Sequence, residues 1–497
     1  MSNPSKNSII MIAVFFITAA VNYVYNVSMG WLLSPEQFGI LGVSISFMLI
    51  LSLFVTSAFP LTSAKFISGD HAEEVKHRVF KSSLVANVLI GILVSFVFYF
   101  AFSTKIIDLG SDYSLLVLGV IAATVTSSTM VIYQGLLQGA FRFKSYGLAG
   151  IVTVAGKLFF ALLFVSMGYG AFGALMGIPI GNLITLIIVI YLARDFKFWK
   201  TNGWADSKVY FFALPMFFGT LGITLLLNVD IIAVKFLTDG LLSDTLAGYY
   251  RASLILAQLP IFLVGAMMGV LFPYISKHSD NNAYPSKSIK YAAIFILPIS
   301  IAIAAIPESM ISAIFPEVYG TAAPALRIIA LGMGFLVMIM VLTMIFQARH
   351  SPRIPAIVLP FAVIIEIGLL VLLVPSHGIV GAALSTTVGC AFAFAALMML
   401  YIHKYKLKSD YPAVVKTVIS LILLAGSLVY FPHSTLPDML ADIFISGTIY
   451  MLLLSLFNIL VEEDLEIVLL GLPSNRFTLK VAGPTRSLLR KLNGLGF

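Results

Sequence analysis

The chain has 497 residues, 60% of them hydrophobic and 10% charged, with a mean hydropathy of +1.03. A soluble domain carries about 25% charged residues, so this deficit excludes a soluble globular chain and sets aside domain counting by length. The formal net charge of +8 would admit nucleic acid as a partner, but the placement of the charges excludes that reading too. The single cysteine, Cys390, allows neither an internal disulfide nor a cysteine-based metal cluster.

A membrane span needs about 20 mainly apolar residues. In chain order, fourteen such segments occur, at roughly 9–30, 39–61, 83–103, 114–137, 148–167, 172–193, 209–236, 247–274, 290–307, 324–346, 354–374, 379–402, 412–431 and 440–461. Nearly all are apolar around the whole helix, as in a membrane bundle. The first is too long for a cleaved signal peptide and lacks a small-residue cleavage site.

Basic residues fall on alternate loops. One set holds Lys6, Lys65, Lys76, Arg78, Lys81, Arg142, Lys144, Arg194, Lys197, Lys200, Lys208, Lys277, Lys287, Lys290, Arg349, Arg353, Lys404, Lys406, Lys408 and Lys416. The C-terminal stretch adds Arg476, Lys480, Arg486, Arg490 and Lys491, and the opposite loops hold Lys105 alone. By the positive-inside rule both termini face the cytoplasm of a cell bounded by the plasma (inner) membrane. The basic charge is therefore a topology signal. The outer loops are too short for an external catalytic domain. Residues 462–497 read as a cytoplasmic basic tail, either frayed or a short amphipathic helix on the inner leaflet after Pro484.

Two halves echo each other at an offset of about 209 residues. "GYGAFGAL" (168–175) matches "SHGIVGAAL" (376–384), aligning Gly170 with Gly378 and Gly173 with Gly381. "LLQGAFRFK" (136–144) matches "IFQARHSPR" (345–353), and "LLSPEQFGIL" (32–41) matches "LLSDTLAGYY" (241–250), aligning Gly39 with Gly248. Phe59-Pro60 has its counterpart in Phe272-Pro273. Matched spans lie six apart, an even number, so the repeat is parallel about an axis along the membrane normal. The expected organisation is an all-α polytopic membrane protein of about 14 transmembrane helices. An N-lobe (1–200, spans 1–6) and a pseudo-symmetric C-lobe (201–408, spans 7–12) precede two extra helices (409–461) and the tail.

"LLSPEQFGILGVSISFMLIL", "NVDIIAVKFL" followed by "AGYYRASLILAQLP", and "HGIVGAALSTTVG" resemble the second, the seventh and eighth, and the twelfth spans of polysaccharide biosynthesis flippases. These belong to the multidrug/oligosaccharidyl-lipid/polysaccharide (MOP) exporter superfamily, and the resemblance covers most of residues 1–405. It implies twelve spans in two bundles plus an extra pair. It also implies a substrate of the polyprenyl-diphosphate oligosaccharide kind, moved from the inner to the outer leaflet by alternating access. Relatives with ion coupling use carboxylates in spans 7 and 11, which makes Asp230 and Glu366 candidates for a coupling Na⁺ or H⁺. A glycan polymerase or glycosyltransferases are expected partners, and the chain is expected to act as a monomer without an organic cofactor or resident metal.

Ionisable groups inside spans mark function more often than structure. Lys157 lies at about mid-depth of span 5, and Glu366 lies 209 residues on, at the equivalent point of span 11. Three roles stay open for them: a Lys157–Glu366 pair joining the lobes, Lys157 attracting the diphosphate or acidic sugar of the substrate, and Glu366 holding a coupling cation. Nearer the outer end, Asp230 and Arg251 are candidates to pair. Lys235, Arg251 and Arg327 either snorkel to headgroups or form a cationic vestibule. Asn22 and Gln258, on spans that line the cavity in relatives, join the substrate candidates beside Tyr23, Tyr25 and Tyr249. Pro60, Pro179, Pro215, Pro260, Pro298 and Pro360 interrupt spans where lobes would bend.

No nucleotide-binding Gly-Lys-Ser/Thr loop occurs, and the seven histidines show no paired metal-ligand spacing. A transporter, not an enzyme, is expected. A multidrug/cation antiporter of the same superfamily is the first competitor, but spans 1–6 hold no deep Asp or Glu and carry Lys157 instead. A lipid II flippase is the second, disfavoured because spans 1–6 contain no buried arginine. A polymerase or ligase would need a large outer loop.

Overall fold

The computed structural model describes residues 4–69, 72–196, 201, 203–206, 214–238, 240, 242–265, 275, 283–405, 411–430 and 436–459. Lys197, Lys200, Lys208, Lys277, Lys406, Lys408, the Phe272-Pro273 step, His433 and the basic tail lie outside them. Among the described residues the regular elements are all helical: α1 (Pro4–Leu32), α2 (Pro35–Thr56), α3 (Phe59–Ser68), α4 (Glu73–Ser103), α5 (Ser114–Gly139), α6 (Phe143–Ser166) and α7 (Gly170–Leu192). They continue with α8 (Leu214–Leu226), α9 (Val229–Leu237), α10 (Ser243–Ala257), α11 (Leu259–Gly265), α12 (Ala283–Tyr291), α13 (Leu297–Ala305), α14 (Pro307–Ile314), α15 (Ala323–Ala348), α16 (Arg353–Tyr405), α17 (Tyr411–Tyr430) and α18 (Leu436–Leu456). Among the described residues, eleven helical stretches are long and apolar enough to cross a membrane, or up to 13 when each of two bent pairs counts as one span. At about 1.5 Å per residue, the 53-residue α16 is far longer than a bilayer is thick, and it breaks at Gly378, whose φ is 55°. Counting it twice turns thirteen crossings into fourteen.

Local chemistry explains the interruptions. Ser34 caps α2, its Oγ accepting from Gln37 N at 3.3 Å, and Pro35 occupies the first turn, where no backbone donor is needed. Pro60 opens α3 after the break that follows α2. Pro260 follows the 40° bend between α10 and α11. Pro298 sits just after a π-turn at Ala292–Ile296, and Tyr450 Oη of α18 donates to the Ile294 carbonyl in that turn at 3.1 Å. Pro179 and Pro360 lie inside α7 and α16.

The repeat recurs in the backbone. Gly170 and Gly378 both hold left-handed φ values, 51° and 55°, at the hairpins that open α7 and divide α16. Phe141 and His350, 209 residues apart, hold φ values of 56° and 55° in the turns after α5 and α15. Within the N-terminal half α6 packs most closely on α7, and within the C-terminal half α15 packs on α16. The halves meet chiefly through α2 and α10, while α17 packs on α18 and on α13. Where α2 crosses α10, a Cβ on Gly39 would lie 1.8 Å from the Asp244 carbonyl oxygen, and one on Gly248 would lie 1.9 Å from the Pro35 carbonyl oxygen. Two residues aligned by the repeat thus touch each other, as residues beside a two-fold axis do.

Candidate functional site

Lys157 is fixed from behind. The α6–α7 crossing is a small-residue seam of the kind that lets membrane helices approach closely. A Cβ on Gly177 would lie 2.4 Å from the Lys157 carbonyl oxygen, and one on Gly181 would lie 2.8 Å from its backbone nitrogen. Phe159 and Leu163 face outward from the same helix, which leaves the Lys157 side chain directed at α1. Its Nζ donates to Asn22 Oδ1 at 3.0 Å and stands 3.7 Å from the centroid of the Tyr25 ring. Tyr25 is itself buried and donates through Oη to the Ala174 carbonyl of α7 at 3.1 Å. The ammonium is therefore held by a neutral amide oxygen and a π face. Among the described residues no carboxylate pairs with it, and the Lys157–Glu366 pair, one of the three roles left open, is not formed.

One turn along α1, Asn26 repeats the arrangement. Its Nδ2 donates to the Asn22 carbonyl at 2.9 Å, and its Oδ1 accepts from Arg251 Nη2 at 3.0 Å. Arg251 belongs to α10 and is 9% exposed. Its stem lies over Gly42 of α2, where a Cβ would come within 3.2 Å of Cγ and Cδ. The expected Asp230–Arg251 pair is replaced by this amide contact. One cation from each half thus rests on α1, each on a neutral acceptor four residues from the other. Bidentate carboxylate partners are what buried guanidinium groups usually take, and their absence here leaves charge available to an anion.

The carboxylates gather elsewhere. Asp230, in the first turn of α9, and Glu366, in α16, are both fully buried. Thr386 Oγ1 lies 2.7 Å from Glu366 Oε1 and 3.3 Å from Asp230 Oδ2. Tyr250 Oη donates to Asp230 Oδ2 at 2.7 Å, and Ile231 N donates to Oδ1 at 2.8 Å. Glu366 Oε2 is buried with no hydrogen-bond partner. Gly389, on the second limb of α16, makes room for this: a Cβ there would lie 3.0 Å from Glu366 Cβ. Thr386 follows Glu366 by the same 20 residues that separate Gly177 from Lys157, so equivalent hairpins present a cation in one half and a carboxylate in the other.

The remaining candidates are neutralised or peripheral. Lys235 Nζ bonds Asp244 Oδ2 at 2.7 Å, and Arg327 Nη2 bonds Glu308 at 3.0 Å on the exposed surface. Each thus has a carboxylate partner in the structure. Gln258 is half-buried at the end of α10, where the chain bends. Sequence reasoning missed Asn26, Thr386 and Tyr250. The Asn22, Tyr25, Asn26 spacing on one helical face was the available signal for the first of these.

Contacts between the halves lie toward both ends of the bundle from Lys157 and Arg251. At the end opposite the basic loops, Asp244 also accepts from Tyr113 Oη at 2.6 Å, and Lys235 lies 5.0 Å from the Tyr113 ring. Burial, and then the Asp244 charge, push the Tyr113 phenol well above its usual range, so it remains a donor. Trp31 Nε1 donates to the Ile314 carbonyl at 2.8 Å, and Phe38 packs against Phe315 and Tyr319. Toward the other end the contacts are apolar: Phe54 meets Phe217 at 5.5 Å, and Phe15 covers Gly265.

Known proteins share this architecture. The family model described as "Polysaccharide biosynthesis protein" matches residues 5–279. The membrane protein MJ1375 of Methanocaldococcus jannaschii is 22% identical over 426 residues, 80% of this chain and 99% of that protein. A solved structure of the lipid II flippase MurJ in an inward closed conformation superposes with a TM-score of 0.71 at 18% identity, covering 90% of this chain and 98% of that one. An inward-facing multidrug resistance MATE transporter of the MOP superfamily gives 0.62 at 15% identity, covering 81% and 100%.

Proposed function

We propose a transport cycle from one premise: the chain belongs to the polysaccharide biosynthesis protein family and is a multi-pass membrane flippase of the MOP superfamily. Its substrate is an anionic lipid-linked glycan, a polyprenyl diphosphate carrying an oligosaccharide or a polysaccharide repeat unit. The observation that carries this reading is the pair of cations, Lys157 and Arg251, held on the neutral amides Asn22 and Asn26 with no carboxylate between them. A diphosphate entering between the halves replaces contacts in which only the donor is charged with ion pairs in which both partners are charged. Because one cation comes from each half, the anion is gripped only when the halves are together. The amides and Tyr25 then remain for sugar hydroxyls.

The Asp230–Glu366 cluster supplies the coupling step. Two buried carboxylates sharing one hydroxyl repel each other, and a bound Na⁺ or a proton relieves that repulsion. The unpartnered Glu366 Oε2 is the oxygen left for it. Cation entry alters how α9 and α16 pack, and so biases the outer contacts made by Lys235 and Asp244, because α9 carries both Asp230 and Lys235. The same buried carboxylates would suit a multidrug/cation antiporter. The test is reconstitution in sealed vesicles with a fluorescent diphospho-lipid-linked sugar beside a cationic dye. Cation-gradient-dependent flipping of the first supports the reading, and transport of the dye alone overturns it.

A further inference from the structure

The turns that follow α5 and α15 are repeat equivalents with opposite charge. In the first, Arg142 Nη1 donates to the Leu192 carbonyl at 2.8 Å and Nη2 reaches Asp195 Oδ2 at 3.5 Å. Residues 209 further on are Ser351 and Lys404, and Lys404 Nζ donates to Ser351 Oγ at 2.6 Å. The contact is conserved between the halves, but a base stands where the first half has an acid. Around it opens a pocket of 380 Å³ lined by His350, Ser351, Pro352, Arg353, Ile354 and Lys404, none of them acidic. Arg353 begins α16, so the helix N-terminus adds its own positive potential. Beside the pocket, the Arg349 guanidinium stacks 4.1 Å from the Tyr405 ring. Below Arg353 on the same helical face, Ile357, Phe361 and Ile364 are at least 60% exposed, an apolar track leading from the pocket along the lipid-facing surface.

We propose that this pocket holds a phosphate group, carried by the headgroup of an anionic phospholipid whose chains lie along Ile357 and Phe361. Lys404 and Arg353 bind the phosphate oxygens, and the N-terminus of α16 completes the site. The site is separate from the Lys157–Arg251 pair and does not depend on the transported substrate. In the first half the equivalent position is occupied by the Arg142–Asp195 ion pair.

The test is native mass spectrometry of the full-length protein released from micelles containing phosphatidylglycerol or phosphatidylcholine. Wild type is expected to retain one phosphatidylglycerol. Lys404→Asp is expected to lower that retention about tenfold, the loss of one charge-assisted contact. Arg353→Gln, at an exposed position, gives a parallel reduction without risk to folding, and melting in phosphatidylcholine alone confirms that both variants fold. Asp195→Lys is expected to create a second retained lipid. Displacement of the lipid by inorganic phosphate or pyrophosphate, lost in Lys404→Asp, would keep the phosphate site and assign it to a soluble ligand. Equal lipid retention and equal phosphate response in wild type, Lys404→Asp and Arg353→Gln would overturn the proposal.

Discussion

Tyr113→Phe removes one oxygen and tests how the end opposite the basic loops is held shut. Tyr113 belongs to the N-terminal half and Asp244 to the C-terminal half, so their 2.6 Å bond breaks whenever the halves part at that end. A hydrogen bond to a charged acceptor contributes about 1.5–3 kcal/mol, and 1.4 kcal/mol is a tenfold change in an equilibrium constant. The variant should therefore shift the equilibrium toward the outward-open state by roughly 10- to 100-fold. Lys235 still neutralises Asp244 at 2.7 Å, so no buried charge is orphaned and folding should be unaffected. The assay is labelling of Val27→Cys by a membrane-impermeant maleimide added outside sealed vesicles. The native Cys390 is fully buried and contributes no background. Faster labelling in the Tyr113→Phe background is expected. An unchanged rate would refute the reasoning, because the bond would then contribute nothing to closure.

Glu366→Gln should abolish the dependence of flipping on the coupling cation gradient while leaving substrate binding within about threefold, since Lys157 and Arg251 are untouched; flipping rates with and without the gradient read this directly. Gly181→Val places a side chain 2.8 Å from the Lys157 backbone nitrogen and 2.9 Å from the Thr153 carbonyl oxygen. Overpacking of this kind costs about 1–3 kcal/mol, so the purified variant should melt several degrees lower. Gly39→Ala sets a methyl 1.8 Å from the Asp244 carbonyl oxygen and should prevent close approach of α2 and α10, seen as constitutive outside labelling of the same Val27→Cys reporter.

The helical class and the many apolar spans were legible in the sequence, because hydropathy is a one-dimensional quantity. The repeat was legible for a different reason. Gly170 and Gly378 both take left-handed φ at the equivalent hairpins, where glycine carries no steric penalty, so the same residue recurs. Partner choice was not legible. Lys157 and Glu366 share an offset, but each packs within its own half: Gly177 and Gly181 clasp one hairpin, and Thr386 and Gly389 clasp the other. Equivalence under a two-fold axis brings residues together only beside the axis, as it does Gly39 and Gly248. Lys235 was read as free because Asp244 lies nine residues away across a helix break, a spacing that no helical periodicity reports.

The most direct measurement compares wild type with Lys157→Met and Arg251→Met in vesicle flipping of a diphospho-lipid-linked sugar and of an uncharged lipid-linked sugar of the same length. Losing one charge-assisted contact should slow the diphosphate substrate roughly 10- to 100-fold, with little change for the uncharged one. Equal slowing of both substrates, or none of either, would contradict the assignment of these two cations to an anionic substrate.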